Sequence, residues 1–209
     1  MSEHHDHDHD QDGGAAHGGA REKSPAELRV LALEAELVER GLISTDAIDA
    51  AVELFQNQIG PRNGARVVAK AWTDRAFRER LLADATAAAD ELGIGGLEGA
   101  QMFAVENTAS VHNVVVCTLC SCYPWPVLGI PPVWYKSAPY RAQVVREPRK
   151  VLREFGYDLG DDVEVRVWDS SAETRYLVVP ARPAGTEQLG EADLAELVTR
   201  DGMIGVAAV

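Results

Sequence analysis

The stretch Val114-Val115-Val116-Cys117-Thr118-Leu119-Cys120-Ser121-Cys122-Tyr123 holds every cysteine of this 209-residue chain. It joins a β-branched run, which reads as a buried strand, to Tyr123-Pro124, where a regular ladder stops. The thiols therefore belong to a loop at the end of a strand. Three thiolates so close together point to metal, and each metal has its own habits. A structural zinc wants four protein ligands and an iron–sulfur cluster four thiolates, whereas the loop offers three, with His112 the one histidine nearby. His112 itself reads as a polar strand residue before it reads as a ligand. A redox Cys-x-x-Cys pair opens a helix, and this one follows a strand.

Ring counting around an ion held by Cys120 and Cys122 gives a better fit. With the amide nitrogens of Ser121 and Cys122 deprotonated, the Cys122 sulfur and its own amide close a five-membered chelate. The two successive amides close another, and the Cys120 sulfur with the Ser121 nitrogen closes a six-membered one. The result is a square N2S2 plane. Cys117 supplies an axial thiolate, and the opposite axial position is left for water or substrate. An amide yields its proton only to a strongly polarising ion, which favours trivalent low-spin cobalt or iron over zinc. Three thiolates, two amidates and a trivalent ion leave about two net negative charges, and a dry site needs a counterion for them. Arginine suits sulfur-bound oxygens best because its fork is planar and permanently charged. No arginine lies in the loop and the nearest in sequence is Arg141, so the reading brings the guanidinium groups from elsewhere.

Outward from the loop, Met102–Glu106 and Val111–Val116 read as strands. Prolines 124, 126, 131 and 132 stiffen the exit on the other side. Tyr140–Val145 and Pro148–Phe155 read as helices, Val163–Asp169 and Thr174–Val179 alternate like a second pair of strands, and a last helix starts near Glu191. The connection Trp168-Asp169-Ser170-Ser171-Ala172-Glu173-Thr174-Arg175-Tyr176 reads, on pattern alone, as a hairpin with surface ion pairs.

Upstream, Ser24-Pro25 supplies an N-cap and a first-turn proline, and Leu28, Leu31, Ala35 and Val38 keep helical spacing up to Gly41. A second helix starts at Ser44-Thr45-Asp46 and runs with Ile48, Val52 and Phe55 to Gly60-Pro61. Helical patches continue through Ala65–Trp72 and Phe77–Leu92. The expected organisation is a leader over 1–23, a helical arm over 24–96 and an α/β metal-site domain over 97–209, with the arm's apolar stripes turned to a partner chain in preference to the alternative, packing on the chain's own second half. The leader carries five of the six histidines among aspartates and glycines and has almost no apolar residue. It reads as a solvated tail, with metal capture for the loop as the functional alternative.

Composition excludes several classes. A hydrophobic share of 46% with 25% charge is that of a globular chain, and no apolar run approaches a membrane span. The net charge of −13, with 20 Lys+Arg interleaved among 33 Asp+Glu, argues against nucleic acid. Three clustered cysteines make a poor disulfide framework, which points to reducing cytoplasm.

The loop Cys117-Thr118-Leu119-Cys120-Ser121-Cys122-Tyr123 resembles the metal claw of nitrile hydratase α subunits. Thr118 and Tyr123 resemble its cobalt type, where iron-type relatives carry serine and threonine. Trp125-Pro126-Val127-Leu128-Gly129, Trp134-Tyr135-Lys136-Ser137, Tyr140-Arg141, Arg146–Leu152 and Arg182–Thr186 extend the resemblance from roughly residue 25 to the end. Glu98 departs from it, because some relatives place a glutamine there. The resemblance implies an α+β fold in which a helical arm precedes a four-layered α-β-β-α domain, and a cobalt(III) held by Cys117, Cys120, Ser121 and Cys122. Cys120 would be a sulfinate and Cys122 a sulfenate, with Cys120, Ser121 and Cys122 carrying the catalysis. Asp169, Glu173, Arg175 and Tyr123 would support the site. A β subunit would supply arginines, in an α2β2 heterotetramer loaded by a metallochaperone, and the substrate would be a small nitrile hydrated to its amide. Two other readings remain in play: a thiocyanate hydrolase-type subunit, and a non-catalytic thiol module for zinc capture or redox sensing.

Overall fold

The structure is a computed structural model that describes residues 23–96 and 99–209; the histidine-rich leader and Glu98 lie outside the described residues. Two compact units divide the chain, Met1–Thr45 and Asp46–Val209. In the first, helix α1 (Pro25–Glu39) starts as its sequence directs. Ser24 Oγ accepts from the Glu27 amide, the Glu27 carboxylate accepts from the Ser24 amide, and Pro25 occupies the first turn. This helix buries none of its residues, and Leu28, Val30, Leu31 and Leu33 are all exposed.

In the second unit α2 (Thr45–Glu53) runs through a π-helical stretch, Leu54–Ile59, into α3 (Gly60–Thr73). The run read as one helix over Phe77–Leu92 is two, α4 (Arg75–Ala83) and α5 (Ala85–Glu91). The break falls at Asp84, which is extended (φ −150°, ψ 96°) and whose carboxylate caps the Ala87 amide of the next helix. Val67, Val68 and Ala71 of α3, Phe77 and Leu81 of α4, and Ala85, Ala88 and Ala89 of α5 join the same core as the strands. The expectation that the arm turns its stripes to a partner chain therefore does not extend to α3–α5, whose apolar faces are buried within their own unit.

Four strands, β1 (Gln101–Glu106), β2 (Val111–Val116), β3 (Glu164–Asp169) and β4 (Thr174–Val179), form two separate two-stranded sheets, and both are parallel. β1 pairs with β4 and β2 with β3. The expected hairpin is thus not one: β3 and β4 are joined by a short turn but belong to different sheets, each reaching back to a strand far earlier in the chain. Packing dictates this. Val114, Val115, Val116, Leu177, Val178 and Val179 are all fully or almost fully buried, and runs buried on both faces are the mark of parallel strands. Strand β3 begins at Glu164, one residue later than the alternation indicates.

Helices α6 (Trp125–Leu128), α7 (Ala138–Arg146) and α8 (Pro148–Glu154) follow the thiol loop, with a 3-10 turn at Trp134–Lys136; α9 (Glu191–Leu197) and α10 (Arg200–Ile204) close the chain. Backbones approach closely where α3 meets the end of α6. A Cβ on Gly60 would lie 2.0 Å from Gly129 Cα, and Gly129 itself has φ 74°, so both positions need glycine. Among the described residues no helix is long and apolar enough to cross a membrane.

Candidate metal centre

Parallel pairing decides where the thiols go. β2 and β3 run in register from Val111 opposite Glu164 to Val116 opposite Asp169, so both carboxyl ends finish together. The Ser170 amide extends the ladder by donating to the Val116 carbonyl at 2.7 Å. Cys117 leaves the strand fully buried, Thr118 to Ser121 turn outwards, and Leu119 stands 84% exposed. The loop returns to the core at Tyr123, buried and edge-on to Tyr135 at 5.0 Å between ring centres. Cys120 is exposed and Cys122 half-buried. A loop pinned at both ends with its middle free thus presents all three sulfurs together.

The geometry of those sulfurs can be tested against a metal. Cys117 Sγ and Cys120 Sγ are 3.5 Å apart, Cys120 Sγ and Cys122 Sγ 3.2 Å, and all three lie within 4.8 Å of one another. A disulfide needs about 2.05 Å, so these are separate thiols. For a metal–sulfur bond of about 2.3 Å, sulfurs at right angles sit about 3.3 Å apart and tetrahedral ones about 3.8 Å. The 3.2 Å spacing matches the right-angled value and the 3.5 Å spacing falls between the two, so both neighbouring pairs are close enough to share one ion. The residues fit a metal held by Cys117, Cys120 and Cys122.

Charge in the loop is already divided before any ion is considered. Cys120 is held down to about 7, first by hydrogen bonding from the Cys122 thiol, then from Cys117, with the Ser121 and Cys122 amides also donating to its sulfur. Cys122 is pushed up to about 12, by burial first and then by serving as donor to Cys120. One proton therefore leaves the pair well before the other. The two amide nitrogens that ring counting selected both face the thiol cluster, and the Cys120 amide donates to Cys117 Sγ at 3.3 Å.

The supporting residues read from sequence fall into different positions. Asp169 is brought to the loop by the parallel register. Its two carboxylate oxygens accept from the Thr118 amide at 2.9 Å and the Thr118 hydroxyl at 2.6 Å. Arg175, near the start of β4, donates to the Ser171 and Thr174 carbonyls, and its charge opposes the rise of the Cys122 thiol. Glu173 is exposed in the turn between β3 and β4, and its main chain rather than its carboxylate makes the local bonds: its amide to Ser171 Oγ and its carbonyl to the Gln101 amide. Tyr123 donates to the Leu128 carbonyl at 3.2 Å, which ties the loop exit to α6. His112 is buried and bonded at both ring nitrogens. Nε2 donates to the Gly205 carbonyl at 2.7 Å, and Nδ1 accepts from Asn107 at 3.2 Å. It is a strand residue and not a ligand.

Three residues that sequence reasoning did not place at the site also hold the loop. Tyr135 donates to the Cys122 carbonyl at 3.0 Å, Tyr140 to the Val115 carbonyl at 2.7 Å, and Arg141 to the Cys120 carbonyl at 3.3 Å. Burial pushes both phenols far above their ordinary range, so they remain donors. Arg141, the arginine nearest the loop in sequence, is brought to it by α7 and meets a main-chain oxygen rather than a sulfur. The signal was slight: Ser137, whose Oγ caps the Tyr140 amide, fixes the phase of α7, and that phase aims Tyr140 and Arg141 at the strand end.

Comparison with known proteins points one way. The sequence profile of the family described as "Nitrile hydratase, alpha chain" matches residues 24–207. The low-molecular weight cobalt-containing nitrile hydratase subunit alpha of Rhodococcus rhodochrous is 62% identical over 179 residues, 86% of this chain and 86% of that one. The thiocyanate hydrolase subunit gamma of Thiobacillus thioparus is 40% identical over 198 residues, 89% and 81% of the two chains. Among solved structures, a double mutant of the Fe-type nitrile hydratase from Comamonas testosteroni Ni1 superposes with a TM-score of 0.79 at 43% identity, covering 89% of this chain and 92% of that one.

Proposed function

This chain belongs to the nitrile hydratase alpha-chain family, and on that premise we propose that it is the metal-holding subunit of an enzyme that hydrates small nitriles to amides. The observation that carries the reading is the close grouping of the three sulfurs at the end of β2. Cys117, Cys120 and Cys122, with the Ser121 and Cys122 amide nitrogens, would hold cobalt(III), in keeping with the cobalt-containing relative. When bound, the ion supplies a Lewis acid that polarises the nitrile carbon for attack by water.

The chain's own residues do the rest. Cys120, which is exposed, with Ser121 and Cys122, which are half-buried, form the lip against which substrate lies. Cys120 is the exposed thiol with the lowered pKa and so the one most open to oxidation, in line with a sulfinate there and a sulfenate at Cys122. Asp169 fixes Thr118, and Tyr135 fixes Cys122 through its main-chain oxygen, so the loop need not reorganise as charge develops. Arg175 adds positive charge near Cys122, and Glu173 and Tyr123 belong to the same supporting set. In this reading helices on either side of the two sheets make the four layers, and residues 97–209 are the metal-site domain.

The partner is a β subunit that brings arginines to the sulfur oxygens, in an α2β2 assembly filled by a metallochaperone in the cytoplasm. Exposed Leu28, Val30, Leu31 and Leu33 on α1 give the start of the arm an apolar surface for that partner. The greater identity to the cobalt-containing nitrile hydratase subunit than to the thiocyanate hydrolase subunit, 62% against 40%, favours the nitrile. The test is expression with the partner subunit, then metal analysis and a substrate panel containing nitriles and thiocyanate. Near-stoichiometric cobalt, a visible sulfur-to-metal charge-transfer band and amide formation are expected. Zinc without visible absorbance and without turnover overturns the reading.

A further inference from the structure

Deprotonating the Ser121 amide moves much of the negative charge onto the oxygen of the same peptide group, which is the Cys120 carbonyl oxygen. That oxygen accepts from Arg141 Nη1 at 3.3 Å. Two other charged groups beside the loop are engaged elsewhere. Asp169 is on Thr118, and Arg175 is on the Ser171 and Thr174 carbonyls. Tyr135 reaches the Cys122 carbonyl, which belongs to the peptide after the second amide and not to a ligating one. Arg141 is also incompletely used, because its Nε is buried without a hydrogen-bond partner. A buried guanidinium nitrogen without a partner is costly in an ordinary fold, and the cost is offset where the cation faces an anion.

We propose that Arg141 is a positioning residue for the metal loop, whose guanidinium orients the Cys120–Ser121 peptide plane and neutralises the charge that collects on its oxygen when the Ser121 nitrogen binds the metal. The inference rests on the nitrile hydratase reading and deepens it. It assigns to this chain one counter-charge, aimed at an amide oxygen and distinct from those that serve the sulfur oxygens. α7 is suited to the task. Ser137 caps it, and the adjacent Tyr140 is locked by its bond to the Val115 carbonyl, so Arg141 issues from a fixed helix into an open cleft bounded by Thr118, Ala138, Ala142, Val145 and Arg146.

The experiment uses the complex with its partner subunit, loaded from a limiting cobalt supply, with Arg141→Met, Arg141→Lys and, as a control in the same cleft, Arg146→Gln. Two quantities are read, cobalt per chain and the infrared carbonyl bands after labelling cysteine with carbon-13 at its carbonyl carbon. In the unaltered complex the Cys120 band is expected well below the ordinary amide position, apart from those of Cys117 and Cys122. Arg141→Met should lower cobalt loading roughly tenfold and move that band upward, on the scale of a lost charge-assisted hydrogen bond. Arg141→Lys should recover most of both, and Arg146→Gln should change neither. An unmoved band and unchanged loading in Arg141→Met overturn the proposal, and so does an equal effect from Arg146→Gln. If Arg141→Met fails to assemble, Arg141→Lys decides: native loading and band position support a charge requirement, whereas failure of both makes the arginine a packing residue and refutes it. Absence of cobalt and of a shifted band in the unaltered complex strikes the functional reading itself, which separates the two failures.

Discussion

The clamp between Asp169 and Thr118 gives the sharpest test of how the loop is held. Asp169→Ala removes two bonds at once, one of 2.9 Å from the Thr118 amide and one of 2.6 Å from its hydroxyl. Thr118→Val keeps the shape and removes the second alone. Hydrogen bonds to a charged group are worth about 1.5–3 kcal/mol when shielded, but the Asp169 side chain is exposed and water competes, so about 1 kcal/mol each is the working figure. The expectation is then about 2 kcal/mol for Asp169→Ala and about 1 kcal/mol for Thr118→Val. The double variant should lose about 2 kcal/mol rather than about 3, because the hydroxyl has no partner once the carboxylate is gone. A loop destabilised by about 2 kcal/mol is closed up to about thirtyfold less often, so cobalt taken up from a limiting supply should fall in the same order across the series. The assay is denaturant unfolding of the metal-free complex alongside cobalt per chain. Strict additivity, or an Asp169→Ala complex that unfolds and loads like the parent, would refute the clamp.

Ser121→Pro deletes the amide proton that ring counting replaces with a metal, and should abolish correct loading where Ser121→Ala retains it; normal cobalt content in the proline variant removes the amide from the ligand set. Gly60→Ala places a Cβ 2.0 Å from Gly129 Cα and should cost at least about 2 kcal/mol, read as a lowered denaturant midpoint. His112 has a pKa below its ordinary value because burial outweighs the favourable bond to the Gly205 carbonyl. A folded pKa below the unfolded value of about 6.5 means that stability is present above that pH and lost as pH falls through the folded value. Unfolding midpoints taken between about pH 7.5 and about pH 5.5 should therefore drop further in the parent than in His112→Gln, and parallel slopes would contradict this.

What the sequence disclosed and what it hid divide along one physical line. The strand Val111–Val116 and the loop beyond it were legible because a β-branched run, three thiols and a proline are local signals. His112 was legible as a strand residue for the same reason. The pairing of β3 was not. Its partner is β2, some fifty residues earlier, and parallel partners leave no local turn to read. The nearby Thr174–Val179 stretch offered a false hairpin instead. Asp84 was hidden inside a helical pattern because an aspartate there reads equally well as an exposed helix residue, and only its extended backbone marks it as a cap.

The residues missed at the site share a further property. Tyr135, Tyr140 and Arg141 act on main-chain oxygens. A side chain that recognises the backbone has no complementary side chain to betray it in the sequence, so neither spacing nor composition reveals the pair. The chemistry makes such contacts necessary. If two of the ligands are peptide nitrogens, the elements to be held are peptide planes, and side-chain donors can grip those planes only through their carbonyl oxygens. α7 and the 3-10 turn at Trp134–Lys136 set Tyr140, Arg141 and Tyr135 beside the end of β2, so the carbonyl of the ligating Cys120–Ser121 peptide has a donor and the flanking carbonyls of Val115 and Cys122 are held on either side of it. Substitutions that keep the donor should therefore be tolerated far better than those that keep only the bulk.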